Sequence, residues 1–181
     1  YIESVNKYLE RDLNEDELAS LIFNFLPFLI YSSWNSMGLE IGRKTLKLGE
    51  RILKTDNKII ITNKSILALL LSKKGEYKEA EFLYRQVIEI KKRLYGKDNQ
   101  DTLSSMSDLG LLLSLKGEYE EAEKIHRHTL EVQERILGPE HLDKIVTMSF
   151  LATTLYGKGD YKQAEILFRK SLEVEERILG S

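Results

Sequence analysis

Residues 75–96 read GEYKEAEFLYRQVIEIKKRLYG, residues 117–138 read GEYEEAEKIHRHTLEVQERILG and residues 159–180 read GDYKQAEILFRKSLEVEERILG. The segments begin 42 residues apart, with nothing inserted or deleted, and agree at eight of 22 positions. A fixed period of this length marks a repeat architecture, in which each unit buries its apolar face only by stacking on a neighbour.

The shared residues have local reasons. Gly75, Gly117 and Gly159 follow one apolar helical run and precede another, where a residue tolerant of positive φ ends the first helix. Ala80, Ala122 and Ala164 fall one turn into the second helix, where a methyl side chain lets two backbones approach closely. Tyr77, Tyr119 and Tyr161 can fill the space beside that contact. Glu81 with Arg85, Glu123 with Arg127 and Glu165 with Arg169 are i,i+4 pairs in the favourable order, as are Glu89 with Arg93, Glu131 with Arg135 and Glu173 with Arg177. Each contributes about 0.3 kcal/mol when exposed, so solvated helix support accounts for them without chemistry.

The run before each glycine keeps the helical period, with Leu103, Met106, Leu109, Gly110 and Leu113 on one face in the third repeat. The unit is therefore helix, turn, helix. Stepping back another 42 residues reaches Ser33, Trp34 and Asn35, with Gly38 at the alanine position and Arg43, Leu46, Arg51, Ile52 and Leu53 in matching places. The pattern divides the chain, as one domain, into a short N-terminal helix (1–12), a degenerate repeat (13–54) and repeats at 55–96, 97–138 and 139–181. Asn14 and Glu17 form a capping box for the first helix of the degenerate repeat, and Pro27 is expected to kink or shorten it.

Composition narrows the function classes. Lys plus Arg total 27 against 29 for Asp plus Glu, which gives no overall electrostatic case for nucleic acid or an acidic membrane as partner. Cysteine is absent, which excludes disulfides, thiolate metal sites and cysteine nucleophiles and agrees with a cytoplasmic setting. The most apolar stretch, Leu18 to Tyr31, is too short to span a bilayer and reads as a buried helix. The chain opens on Tyr1 without an initiator Met or a secretory pattern, so a domain of a longer protein is expected.

Catalytic and metal signatures are missing. His126 and His128 are two residues apart and point to different helix faces, so they cannot share an ion; His126 stands where Tyr84 and Phe168 stand and is expected in the core. His141 reads as a cap or turn residue, and Glu120-Glu121 and Glu175-Glu176 as solvated faces. The sequence implies no enzyme, no cofactor and no metal.

Leu109-Gly110, the turn Gly117, Ala122 and the large residue His126 stand at spacings that resemble the tetratricopeptide repeat. The 42-residue period, with Leu137-Gly138-Pro139-Glu140-His141-Leu142-Asp143 in the linker, is similar to the kinesin-light-chain variety of that family, also found in NLR-like signalling ATPases. The resemblance implies an all-α helical-repeat solenoid, a right-handed superhelix of antiparallel helix pairs whose first helices line a concave groove. Carried over position by position, the groove would present Thr62, Ser65, Ile66 and Leu69, then Ser104, Ser107, Asp108 and Leu111, then Val146, Ser149, Phe150 and Thr153. The Lys, Arg and Asn of chaperone-type carboxylate clamps are missing from this set. The paired asparagines of kinesin light chains are replaced by Ser65-Ile66, Ser107-Asp108 and Ser149-Phe150, with Asn24 alone fitting.

The implied function is a protein-interaction scaffold that holds a protein or peptide in the groove, as part of a larger signalling or adaptor protein. The alternative is a structural or self-assembling module without a groove ligand. Charge bears on the first: residues 58–97 hold ten basic and four acidic residues (+6), and residues 98–143 hold four basic and eleven acidic (−7). These segments either neutralise one another or present an acidic third repeat to a basic partner. Ile166, Leu172 and Ile178 are expected near an uncapped last repeat, where either further repeats follow or two copies pair end to end.

Overall fold

Three glycines organise the helices. Gly75, Gly117 and Gly159 have φ of 84°, 89° and 93°, and each ends a helix of 17 residues. The amides of Glu76, Glu118 and Asp160 then reach back to the carbonyls of Leu71, Leu113 and Leu155 at 2.9, 2.8 and 2.8 Å. This closes orphan carbonyls at each helix end and reverses the chain into a second helix of 19 residues. An L side chain at those φ values would be strained, which is why the turn is glycine three times over.

The computed structural model describes residues 13–22, 35–138 and 141–179. The short helix read at 1–12, Asn24, the Pro27 kink, the Ser33-Trp34 pair and the remainder of the apolar stretch beyond Ile22 lie outside the described residues. The described helices are α1 (Glu15–Ser20), α2 (Asn35–Ile52), α3 (Lys58–Lys74), α4 (Tyr77–Tyr95), α5 (Gln100–Lys116), α6 (Tyr119–Leu137), α7 (Leu142–Lys158) and α8 (Tyr161–Leu179), with no strand among the described residues. None of these helices is long and apolar enough to cross a membrane. The chain divides into two compact units, Tyr1–Ile90 and Lys91–Ser181, the division falling within α4.

In the first unit the expected capping box is formed: Asn14 Oδ1 accepts from the Glu17 amide at 3.0 Å, and a Glu17 carboxylate oxygen accepts from the Asn14 amide at 3.1 Å. Leu18, Ile22, Ile41 and Ile59 are buried together, and Met37, Leu48, Leu53 and Ile66 pack against them. A fully buried Leu or Ile contributes roughly 1.5–3 kcal/mol, several times an exposed ion pair, so this cluster holds α1, α2 and α3 together. Lys64 is buried along its stem while its ammonium reaches Glu50 at 3.1 Å and Gln86 at 2.9 Å. Arg43 grips Glu79 at 2.7 Å, and that bond raises the guanidinium pKa.

In the second unit, α5 packs on α6, α6 on α7 and α7 on α8, and α5 also lies against α7. Ser107 on α5 meets Thr147 on α7 at 2.8 Å, and Ser114 meets Thr154 at 2.6 Å. The constant offset of 40 residues shows that α5 and α7 run parallel, side by side. Ala122 and Ala164 are 0% and 1% exposed, as the close-approach reading of the sequence requires. Tyr119 crosses to the following repeat and covers Gly157, whereas Tyr161 is exposed and stacks edge-on against Tyr156 with centroids 5.1 Å apart. The ion pairs Glu81–Arg85, Glu123–Arg127 and Glu165–Arg169 form. Glu131–Arg135 does not: Arg135 reaches Asp98 at 3.0 Å, because the longer arm finds a carboxylate at the base of α5 rather than its own helix neighbour.

His126 lies fully buried in the core, its ring over Gly110 and tilted against Phe150 with centroids 6.0 Å apart. A Cβ on Gly110 would come within 2.5 Å of that ring, and one on Gly157 within 2.6 Å of the Tyr119 ring. The two glycines predict different outcomes. Gly110→Ala should destabilise by about 1–3 kcal/mol, since the buried imidazole has nowhere to move. Gly157→Ala should be near neutral, because the half-exposed Tyr119 can swing aside and helix propensity gains roughly 1 kcal/mol. Urea unfolding followed by circular dichroism checks both, and equal losses would refute the distinction.

Candidate ligand-binding faces

The twelve residues assigned to the groove occupy α3, α5 and α7, the first helix of each pair. On α3, Thr62, Ser65, Ile66 and Leu69 are half-buried while Ile60, Leu67, Leu70 and Leu71 fill the core, so the four form one partly open strip. Ile66 is shared with the packing, because it also touches the Leu18 cluster. In the second unit Val146 and Thr153 are exposed, and Ser104, Asp108, Leu111, Ser149 and Phe150 are half-buried. Ser107 departs from the expectation. Its side chain is buried on the α5–α7 seam, and since Thr147 Oγ1 donates its proton to the Asp143 carbonyl at 2.9 Å, Ser107 donates to Thr147 and has neither a free proton nor an exposed face for a ligand.

Three hydroxyls on these strips have donated to their own helices. Ser65 Oγ donates to the Ile61 carbonyl at 3.0 Å, Ser104 Oγ to Gln100 at 3.0 Å and Thr153 Oγ1 to Ser149 at 2.9 Å. Each has spent its proton on its own helix and keeps only lone pairs for a partner. Asp108 adds a carboxylate between Ser104 and Leu111. Its pKa is pushed up to about 6, first by burial, with Lys91 pulling it down and Asp143 pushing it up. The Lys91 ammonium donates to the Asp101 carbonyl at 3.1 Å and to Ser105 Oγ at 2.9 Å, and burial lowers its pKa.

The helix starts hold residues that the repeat alignment passed over. Asn57, Asn99 and His141, each 42 residues from the last, cap α3, α5 and α7 by accepting from the amides of Ile59, Asp101 and Asp143 at 2.8, 2.9 and 3.2 Å. His141 was legible as a cap. The asparagines were legible only as a period of 42 shared with a histidine, because one geometric task is met by two chemistries. No group of three His, Cys, Asp or Glu side chains suited to a metal ion occurs among the described residues.

A family profile described as Tetratricopeptide repeat matches residues 58–129 and 101–177, more than half of the chain. The chain belongs to the tetratricopeptide repeat family. Among solved structures it is similar to a putative kinesin light chain from Podosopora anserina with nearly identical TPR-like repeats, a single-residue variant of which superposes with a TM-score of 0.80 at 17% identity, covering 99% of this chain and 87% of that one. It is also similar to BtubC (BKLC) from P. vanneervenii, with a TM-score of 0.79 at 17% identity over 99% and 75% of the two chains. The apo form of RapI gives 0.75 at 19% identity over 97% and 62%. At these identities the likeness is one of fold. No curated protein sequence matches significantly. The all-α helical-repeat reading and the kinesin-light-chain-like resemblance therefore hold for this tetratricopeptide repeat protein.

Two titrating groups of the second unit work in opposite directions. Burial lowers His126 to about 4, with the Gly110 backbone close enough to favour the proton but neither ring nitrogen making a well-formed hydrogen bond. Its folded pKa lies below the unfolded value of about 6.5, so its stability contribution is present above pH 6.5 and lost as pH falls toward 4, by about 3 kcal/mol. Asp108 is the reverse: its folded pKa lies above the unfolded value, so its contribution is present below about pH 4 and lost as pH rises through 6. The two largely offset one another between these limits. Relative to wild type, His126→Phe should gain stability mainly at pH 4.5, and Asp108→Asn mainly at pH 7.5. Urea titrations at the two pH values test this, and a gain independent of pH in either variant would refute it.

Proposed function

We propose that this tetratricopeptide repeat protein is a non-catalytic interaction scaffold that takes a protein or peptide segment along the first helices of its pairs, within a larger signalling or adaptor protein. The carrying observation is the strip on α5 and α7. Val146 and Thr153 stand exposed on α7 while Leu111 and Asp108 are half-buried on α5, a mixture of apolar surface and polar groups with acceptor capacity left over. An interface core of this kind gains affinity from apolar burial and specificity from a few oriented polar groups. The strip of Thr62, Ser65, Ile66 and Leu69 on α3 offers the same combination in the first unit.

The test must spare the packing. Ile66 and Phe150 touch the core, so charges there would confound binding with unfolding. Val146→Asp combined with Leu111→Asp should abolish peptide capture while the chain stays helical, with less than about 1 kcal/mol lost at the exposed Val146, since surface changes are usually small. Peptide-display selection against wild type and the double variant, with circular dichroism on both, provides the readout; undiminished capture by the variant would place the ligand elsewhere.

A second reading, self-assembly, is favoured by the exposure of Tyr161, Ile166 and Leu172 on α8, at 63, 57 and 56%. Tyr119, the counterpart of Tyr161 in the preceding repeat, is half-buried where it lies against Gly157. On this reading two copies pair through α8. Light scattering should then show a dimer that Leu172→Glu dissolves, and a monomer across a wide concentration range would end it.

A further inference from the structure

The strip on the second unit has a chemical bias. Asp108 stands next to Ser107, which is bonded across the seam to Thr147 at 2.8 Å. Asp143 lies one turn before Thr147 on the same side of α7, as the Thr147 bond to its carbonyl shows. The two aspartates thus sit on neighbouring parallel helices about one turn from a common level, close enough for the charge of Asp143 to oppose ionisation of Asp108. Neither carboxylate has a hydrogen bond or an ion pair within 4.0 Å among the described residues. Lys91, the cation that acts on Asp108 among the described residues, donates to Ser105 and the Asp101 backbone.

An ionised carboxylate withdrawn from water without a partner is a cost to folding. The same chain satisfies comparable carboxylates elsewhere: Glu123 is held by both Lys158 and Arg127 at 2.9 and 2.8 Å. A separate observation points the same way. Ser104 and Thr153 on this strip have turned their protons inward, so they too offer only lone pairs. Segment 98–143, with four basic and eleven acidic residues, adds an attractive field for cations around the site. A surface weighted toward acceptors is complemented by a group that only donates.

We propose that the α5–α7 strip receives a cationic, donor-rich side chain of a partner peptide, an arginine or lysine, against Asp108 and Asp143, with an apolar neighbour on Leu111 and Val146. This rests on the interaction reading above and names the chemistry of its ligand. Arginine fits best, because its planar fork can donate to two acceptors at once, and its weaker hydration lowers the cost of entry.

The experiment is selection of a random peptide library on the full chain, followed by anisotropy titration of the recovered peptides, each remade with citrulline for arginine and norleucine for lysine. The expected result is enrichment of Arg or Lys beside an apolar residue, with affinity falling tenfold or more for the neutral peptides and for Asp108→Asn and Asp143→Asn. Asp108→Asn should at the same time keep or raise the melting temperature at pH 7.5, which separates lost recognition from lost folding. Peptides without Arg or Lys, displaced by Val146→Asp with Leu111→Asp but indifferent to Asp108→Asn, would overturn this inference and leave the scaffold reading standing. Recovery of no peptide would overturn both.

Discussion

The close approach of paired helices at one small residue is the constraint from which the rest follows. Ala80, Ala122 and Ala164 are essentially without solvent exposure, and a larger side chain at any of them would push the two helices of its pair apart. That distance sets where the left-handed glycine must fall, since only a tight reversal returns the chain in time to place the alanine one turn into the second helix. It also sets which residues of the first helix remain uncovered. A helix that gives one flank to its partner and another to a neighbouring repeat keeps only a narrow strip, and the candidate recognition residues other than the buried Ser107 lie on such a strip.

This dependence explains what was legible beforehand. Turn glycine and close-contact alanine are dictated by backbone geometry, so the same residue type recurs at every repeat and the period is visible in the sequence alone. His126 was legible as core for the same reason, through its alignment with Tyr84 and Phe168. The helix caps were half legible, since an amide oxygen in Asn57 and Asn99 and a ring nitrogen in His141 perform one task. Ser107 could not be placed, because its fate depends on Thr147, 40 residues away, being presented at hydrogen-bond distance on a parallel helix. Nor could Arg135, whose choice of Asp98 over Glu131 is decided by the tertiary approach of a loop, not by helical spacing. Local rules reach as far as the helix pair; contacts between pairs belong to packing.

The second unit departs from its own repeat pattern in one direction. Where the repeat before has Tyr84 and Val87, this one has His126 and Thr129, and Gln133 follows one turn on, all buried, with the His126 nitrogens, the Thr129 hydroxyl and the Gln133 amide lacking partners. Such groups cost on the order of 1–3 kcal/mol each when unsatisfied, against a whole-domain stability of roughly 5–15 kcal/mol. The interior of this unit is therefore less favourable than the repeat requires, on the α6 side that α5 and α7 cover.

In a repeat protein that penalty stays local. Each pair contacts chiefly its neighbours, so stability is close to a sum of per-repeat and nearest-neighbour contributions, and a poor repeat can be carried by good ones. Leu151 and Leu155, buried with Ala164 between α7 and α8, belong to the seam that does the carrying. A globular core with interdependent packing would let the buried polar stripe of α6 and the unpaired Asp108 weaken the whole; a stacked one confines them to one junction. That confinement is what allows unpaired polar groups to accumulate around α5 and α7 while the turns and alanines on either side remain those of an ordinary helix pair.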